Sequence, residues 1–311
     1  MSRMIHILYI MYATSMLSCD IDGRLPDCDY NVMISYSYTT VGGTNEIDDY
    51  VFSATDYLFD TDGLLAGIYE RSGIDIAESR MTLPPGHYTL VRWGNRSNLS
   101  LLRPDTANQA VCRLSDCRLL QNNPTAGGRT QANADPLHYS RVELDVPPVG
   151  IVRKRVYQTH AYLHLYITIK GIEGNLGDSY TMRLDGTAEG TSLQTACTIS
   201  AHNDSILIPS PLDNRTVPHT VNGCKMKKNG DIEGEFITAR LTNSSLPLFS
   251  LWLDGKPILT DVDLKNFFDT MLIDMNTNEC QEFRLRITYE DGKVYISFVS
   301  LGDWEDGGSF G

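Results

Sequence analysis

Beyond its first eighteen residues the chain has no apolar run approaching the roughly 18 to 20 residues that a bilayer-spanning helix needs, so no second membrane span of that kind is expected. Positive charge is scarce as well: 26 Lys and Arg stand against 39 Asp and Glu, a formal balance of −13. The first eighteen residues hold one Arg and no acid, so without them the balance is −14. Such a surface repels phosphate backbones and anionic headgroups, which argues against nucleic-acid partners and against purely electrostatic membrane attachment. No Gly-x-Ser-x-Gly elbow, His-Glu-x-x-His pair, phosphate-cradling glycine loop or dinucleotide fingerprint occurs, so no catalytic residue and no cofactor is assigned. Nor is there a Cys-x-x-Cys pair, and an exported thiol site competes with oxidation, so no metal is expected. Repeats of fixed period and low-complexity tracts are missing too.

What is present suits sheets. At 311 residues, with 41% hydrophobic and 21% charged residues, the chain is long enough for two domains that each bury a core. Sixteen Tyr, 25 Gly and 13 Pro favour short strands punctuated by turns. From Asn31 to Tyr38, Val32, Ile34, Tyr36 and Tyr38 alternate with polar neighbours, the period of a half-buried strand. Tyr57 to Leu65 reads as a hairpin around Asp60-Thr61-Asp62-Gly63. Those four residues also open some calcium loops, but Arg71 stands where the closing Glu is needed, so a turn is expected. Leu83-Pro84-Pro85-Gly86 delivers a strand from His87 to Trp93, with Tyr88, Leu90 and Arg92 on one face.

The Asn- and Thr-rich stretch up to about Asp135 reads as loops with one short helix near Leu114 to Leu120. A strand is expected within Pro136 to Val146, and Pro147-Pro148-Val149-Gly150 is the expected domain boundary. The strongest alternation follows, with Ala161, Leu163, Leu165, Ile167 and Ile169 facing one way. Further strands are read near Tyr180, Thr195, Gly234 and Leu248, a helix over Asp261 to Met271 capped by Asp261, and a closing hairpin of Glu282 to Tyr289 and Lys293 to Leu301 around Asp291-Gly292. The fold class is all-β: two antiparallel sandwiches in series, residues 31–149 and 150–311, behind a leader of residues 1–18 and a linker of residues 19–30.

The leader is one Arg and a short apolar run ending at Met16-Leu17-Ser18-Cys19, the pattern of an export signal, and it resembles the cleavage box of bacterial lipoproteins in which the cysteine is acylated. An ordinary signal peptide with an incidental cysteine is the alternative. At about 0.8 kcal/mol per buried methylene, a multiply acylated Cys19 anchors stably without basic residues. Cys28, Cys112, Cys117, Cys197, Cys224 and Cys280 remain, and their pairing is open, although Cys112 and Cys117 are near enough to close a small loop. His160 and His164 stand about 13 Å apart on a strand at roughly 3.3 Å per residue, too far to share an ion. Trp93, Trp252 and Trp304 lie in or beside strands and read as core in preference to sugar platforms.

In order, Cys19, Asp22 and Cys28, the strand at Val32, the Tyr57 to Gly63 hairpin, Leu83 to Asn95 and Pro136-Leu137-His138-Tyr139 resemble the FimB-like fimbrial anchor lipoproteins of Bacteroidales. The resemblance covers the N-terminal half well and the C-terminal half loosely. It implies two transthyretin-like sandwiches, no enzymatic activity, a lipid on Cys19 and a position at the base of a fimbrium on the outer membrane, with Asp20 and Asp22 pointing to the cell surface. Related shaft subunits polymerise when a neighbour's strand completes a sheet opened by loss of an N-terminal strand. An anchor has reason to keep its own Val32, Ile34 and Tyr36 strand, and Val294, Ile296 and Phe298 are the candidate contact with a fimbrial shaft subunit. The rival reading is a carbohydrate-binding surface lipoprotein of a nutrient-uptake system.

The leader analysis predicts that Cys19→Ala releases the chain from the membrane fraction. Mass spectrometry of the membrane-bound protein should find acyl chains on residue 19, and an unmodified residue there would refute the lipid anchor.

Overall fold

In a computed structural model, residues 29–39, 44–104, 112–125, 130–201, 204–212 and 215–299 are described. Cys19, Cys28, Leu301 and Trp304 lie outside them. The first half contains β1 (Val32–Ser37), α1 (Ile47–Tyr50), β2 (Ala54–Phe59), β3 (Leu65–Arg71), β4 (Glu78–Met81), β5 (Gly86–Gly94), β6 (Ser100–Arg103), β7 (Arg118–Gln121), β8 (His138–Val146), β9 (Val152–Tyr157) and β10 (Thr159–His160). The second contains β11 (Tyr162–Lys170), β12 (Ser179–Ala188), β13 (Gly190–Ala201), β14 (Asp204–Pro211), β15 (Thr216–Lys225), β16 (Ile232–Ala239), β17 (Leu248–Leu253), β18 (Lys256–Asp263), α2 (Leu264–Thr270), β19 (Gln281–Glu290) and β20 (Lys293–Phe298).

Two sandwiches emerge with one topology. In the first, the sheet β4-β1-β9 faces the sheet β10-β8-β5-β2-β3; in the second, β16-β11-β19-β20 faces β15-β12-β17-β18. The run 8-5-2-3 matches the run 18-17-12-15 strand for strand, and 4-1-9 matches 16-11-19. In each sandwich the opening strand lies between an antiparallel neighbour and a parallel one, β4 and β9 for β1, β16 and β19 for β11. Among the described strands, pairing is antiparallel except for one parallel pair per sandwich. The repetition is invisible in the sequence because a sheet position requires only alternation and turn chemistry, which many sequences supply.

Each sandwich also sends out an excursion, β6 and β7 from the first and β13 and β14 from the second. These join as a fifth sheet, β14-β13-β7-β6, across both halves. It packs over the outer face of β2, β5 and β8, so Tyr57, Phe59, Val91, Trp93 and Tyr139 are buried there, while Leu58, Leu90 and Leu144 are buried on the inner face. A sheet covered on both faces loses the polar alternation of a surface sheet, and β2 is buried at every position. Residues Leu114 to Asp116 form a turn leading into β7 where a helix was expected, because the segment is fixed by long-range sheet pairing. Within this layer the Cys112 and Cys117 sulfurs lie 2.9 Å apart, and both thiols are buried.

Local chemistry holds elsewhere. Gly63 takes a φ of 71°, and Oδ1 of the Asp60 carboxylate accepts from the amides of both Asp62 and Leu64, so that oxygen serves the turn. Asp291 and Gly292 both have positive φ, joining β19 and β20 in a tight hairpin. The helix after β18 is capped by Asp263, whose carboxylate accepts from the Asn266 amide; Asp261, the expected cap, lies in β18. Pro147-Pro148-Val149-Gly150 turns the chain from β8 into β9, which pairs with β1, and the chain passes between sandwiches at Ala161, where β10 ends and β11 begins.

A buried ion pair in one sheet of the first sandwich reaches across to the other sheet. Asp56 on β2 and Arg92 on β5 are directly opposite and fully buried, joined by Nε to Oδ1 at 2.5 Å and Nη2 to Oδ2 at 2.9 Å. Arg92 also donates to the Ile76 carbonyl and to Ser79 Oγ on β4, and Arg71 donates to Asp56 at 3.0 Å. The guanidinium carbon lies 3.4 Å from the ring centroid of Tyr36 on β1. Apart from Arg71, at the rim, every member is sealed from solvent, so each depends on the others.

Asp56→Ala, which leaves buried guanidinium charge unpaired, is predicted to cost about 3 to 5 kcal/mol in urea unfolding, and a loss under 1 kcal/mol would contradict this account. A second prediction concerns His219, buried on β15 and 3.3 Å from the Ala132 carbonyl. Burial pushes it down to about 4, so the unfolded chain binds its proton first as pH falls. Stability from this group is complete above about pH 6.5 and is lost toward pH 4. His219→Gln should reduce the slope of stability against pH in that window by up to one proton, and an unchanged slope would argue against burial as the cause.

Candidate functional site

Strand β1 fills a slot. Its backbone pairs with β4 from Val32↔Met81 to Ser35↔Glu78 and with β9 from Val32↔Val152 to Ser37↔Tyr157. Val32 and Ile34 are 0% exposed and Tyr36 is 3% exposed, and all three enter the core with Leu58, Leu90 and Leu144. Asn31 extends the fit, its amide nitrogen donating to the Leu83 carbonyl and its carboxamide oxygen accepting from the Leu83 amide. Removing β1 would strip backbone partners from both neighbours and expose the apolar floor beneath.

Two of the sheet edges contrast. β9 has β1 on one side and no described strand on the other, and its exposed residues are Arg153, Lys154 and Arg155. Three adjacent cations in an acidic protein discourage another strand from pairing there. β20 likewise has only β19 beside it among the described strands. On this edge Val294 is 39% and Tyr295 53% exposed, while Ile296 and Phe298 are half-buried against the second core. Of the candidate contact residues, then, Val32, Ile34 and Tyr36 lie inside their own sheet, Val294 faces solvent, and Ile296 and Phe298 are committed to the core.

Trp93 is sealed in the core against Tyr139, with ring centroids 5.0 Å apart, which removes it as a sugar platform. His160 and His164 do not share an ligand site directly, but parallel pairing of β11 with β19 places Glu282 opposite His164. Glu282 Oε1 lies 4.0 Å from His160 Nδ1 and 3.9 Å from His164 Nδ1, and its carboxyl is held below the usual range chiefly by His164. Cys280 Sγ lies 3.8 Å from His160 Nδ1. This grouping escaped the sequence reading because its members are 120 residues apart and meet only through the parallel register. The Asp56–Arg92 lock was missed too, although Arg92 on the same strand face as Leu90 was a visible signal: a charge at an inward position needs a partner.

These features can be set beside known proteins. The profile described as "Fimbrillin-A associated anchor proteins Mfa1 and Mfa2" matches residues 25–305. The chain belongs to this family. A comparison with curated protein sequences finds no match. Among solved structures, the fimbrial anchor protein Mfa2 from Porphyromonas gingivalis aligns with a TM-score of 0.59 at 14% identity, covering 86% of this chain and 97% of that one. A protein described as an adhesin from Bacteroides ovatus aligns with a TM-score of 0.65 at 15% identity, covering 88% and 94%. One described as polysaccharide-binding from Bacteroides thetaiotaomicron gives 0.61 at 10% identity, covering 88% and 99%. At such identities the structures establish a shared all-β fold. The family is one of fimbrial proteins, which places the chain among structural components of the cell envelope whose partners are proteins. Among the described residues no helix is long and apolar enough to cross a membrane.

Burial separates the two candidate strands energetically. Ile34→Ala should cost about 2 to 5 kcal/mol and Val294→Ala less than about 0.5 kcal/mol in denaturant unfolding. Similar costs at both positions would show that β1 is not the packed strand described.

Proposed function

We propose that the protein tethers a fimbrium to the outer membrane and ends its growth, with a lipid on Cys19 as the anchor and the β20 edge as the contact for a shaft subunit. The observation that carries this reading is β1 itself. A subunit whose sheet is completed by its own first strand, with every inward side chain buried, offers no vacant slot to a neighbour's strand. A lipid at residue 19 would hold that strand's leading end from outside, so retention of β1 and attachment to the membrane support each other. The family match supports a fimbrial role and a protein partner.

The shaft contact is assigned to β20 because the β9 edge carries Arg153, Lys154 and Arg155, whereas β20 presents Val294 and Tyr295 along an edge with no further strand partner among the described residues. Backbone pairing along β20 would supply affinity and the alternate side chains would supply register. The terminal strand pairs with β19 from Leu285↔Phe298 to Glu290↔Lys293, so it acts here as an acceptor edge within its own sheet. The carbohydrate-binding alternative loses Trp93, one of its three candidate tryptophans, to the core.

Val294→Lys combined with Tyr295→Lys leaves the core residues Ile296 and Phe298 in place and puts repelling charge on the edge. Cells carrying this variant, folded and membrane-bound, are predicted to shed fimbriae into the medium and to lose at least tenfold in pull-down of the shaft subunit. Undiminished retention and pull-down would refute the assignment of the contact to β20.

A further inference from the structure

At the seam between the two sandwiches the fold gathers a nitrogen, a sulfur and an oxygen donor around one point. His160 closes the first sandwich on β10, paired with His138 of β8. Cys280 immediately precedes β19 of the second, and Glu282 lies at the start of that strand. His160 Nδ1, Cys280 Sγ and a Glu282 carboxylate oxygen all lie within 4.8 Å of one another, with Nδ1 to Sγ at 3.8 Å and Nδ1 to Oε1 at 4.0 Å. Donors bound tetrahedrally to zinc at about 2.0 to 2.3 Å stand about 3.3 to 3.6 Å apart, so closure on an ion takes side-chain shifts of up to about 1 Å.

The surroundings hold this arrangement in place. Residues 280 and 282 alternate along an extended chain and so share a face, while Gln281 between them points the other way. Gln281 is fully buried, its carboxamide pairing with both the amide and the carbonyl of Leu241 and donating to the Met275 carbonyl. Buried Arg240 donates to the His160 carbonyl at 2.9 Å, to the Glu279 carbonyl at 2.8 Å and to the Asn278 carbonyl, bridging the two segments that bear the donors. His160 Nε2 is engaged by the Tyr38 hydroxyl at 2.5 Å, which leaves Nδ1 as the nitrogen facing Cys280 and Glu282. Glu282 accepts from the Tyr162 hydroxyl at 3.2 Å. Oriented outer partners of this kind are what a metal ligand requires. Cys280 and Glu282 are exposed and His160 is buried, so an ion reaches the site from solvent and keeps one position open.

We propose that His160 Nδ1, Cys280 Sγ and Glu282 form a binding site for a borderline divalent cation, zinc by the chemistry of its donors, which clasps the two sandwiches together. Binding displaces the Cys280 proton to solvent, forms a metal–thiolate bond and transfers no electrons. This inference is independent of the fimbrial reading, since a clasp would stiffen the chain whatever it contacts. It replaces the expectation that no metal binds, which rested on Cys-x-x-Cys spacing and overlooked donors brought together by a parallel strand pair.

The test is zinc titration of the reduced, purified full-length chain by calorimetry, with elemental analysis after dialysis. One equivalent should bind, and Cys280→Ser and Glu282→Gln, both at exposed positions, should each weaken binding at least tenfold. The thermal midpoint of the parent chain should rise with zinc and saturate at one equivalent, with no rise in Cys280→Ser. Cobalt should give a thiolate charge-transfer band that Cys280→Ser abolishes. His87→Ala, which removes a separate surface histidine 2.8 Å from Asp145, should bind normally. The proposal is overturned by failure to bind stoichiometrically, by binding unchanged in Cys280→Ser and Glu282→Gln, or by binding lost only in His87→Ala.

Discussion

The chain's own first strand occupies the place between β4 and β9, and the rest of the first sandwich is organised around that occupancy. The backbone groups of β4 and β9 that face the slot would otherwise be buried without partners or left open as an edge. Beneath the strand, Tyr36 covers the Arg92 guanidinium, which bonds Asp56 in its own sheet and Ser79 beside β1 in the opposing one. β1 therefore closes the hydrogen-bond ladder and also roofs the buried ion pair, whose members bond across to Ser79 of the facing sheet. Withdrawing it would expose apolar surface and charge together.

The second sandwich repeats the plan with a different ending. β11 holds the position of β1 and β19 that of β9, but β19 is covered by β20 through the Asp291-Gly292 turn. In the first sandwich the equivalent edge is left bare among the described strands and carries three cations. The same topology thus ends once in a charged edge and once in an apolar one. That asymmetry is the physical basis for placing a protein contact at the C-terminal end. The excursions β6–β7 and β13–β14 form one sheet across both halves, and Arg240 ties the segment before β19 to the His160 carbonyl at the seam, so the two sandwiches are joined at two places.

Much of this was legible wherever a strand keeps one face in the core and one outside. The alternation of Val32, Ile34 and Tyr36 gave β1, that of Leu163 to Ile169 gave β11, and Gly63 and Asp291-Gly292 marked their turns through positive φ. Legibility failed where three layers stack: β6 and β7 have no pattern of their own because β7 is defined by its pairing with distant β13 and β6 by its pairing with β7. Pro147 and Pro148 were read as a boundary because they stop a strand, yet stopping a strand does not say whether the next one returns to the same sheet, and β9 does return. Asp263 displaced Asp261 as cap because β18 continues through residue 263. The seam donors were hidden for a related reason: parallel pairing joins residues whose separation in sequence carries no fixed spacing.

Hydrogen exchange over residues 31–38, measured with and without an excess of shaft subunit, tests the self-completed sheet most directly. The account predicts that the β1 amides exchange only at the rate of global unfolding and that the shaft subunit leaves them protected. Rapid exchange in β1, or its release when the shaft subunit is added, would show that the slot is open to exchange and would contradict the account.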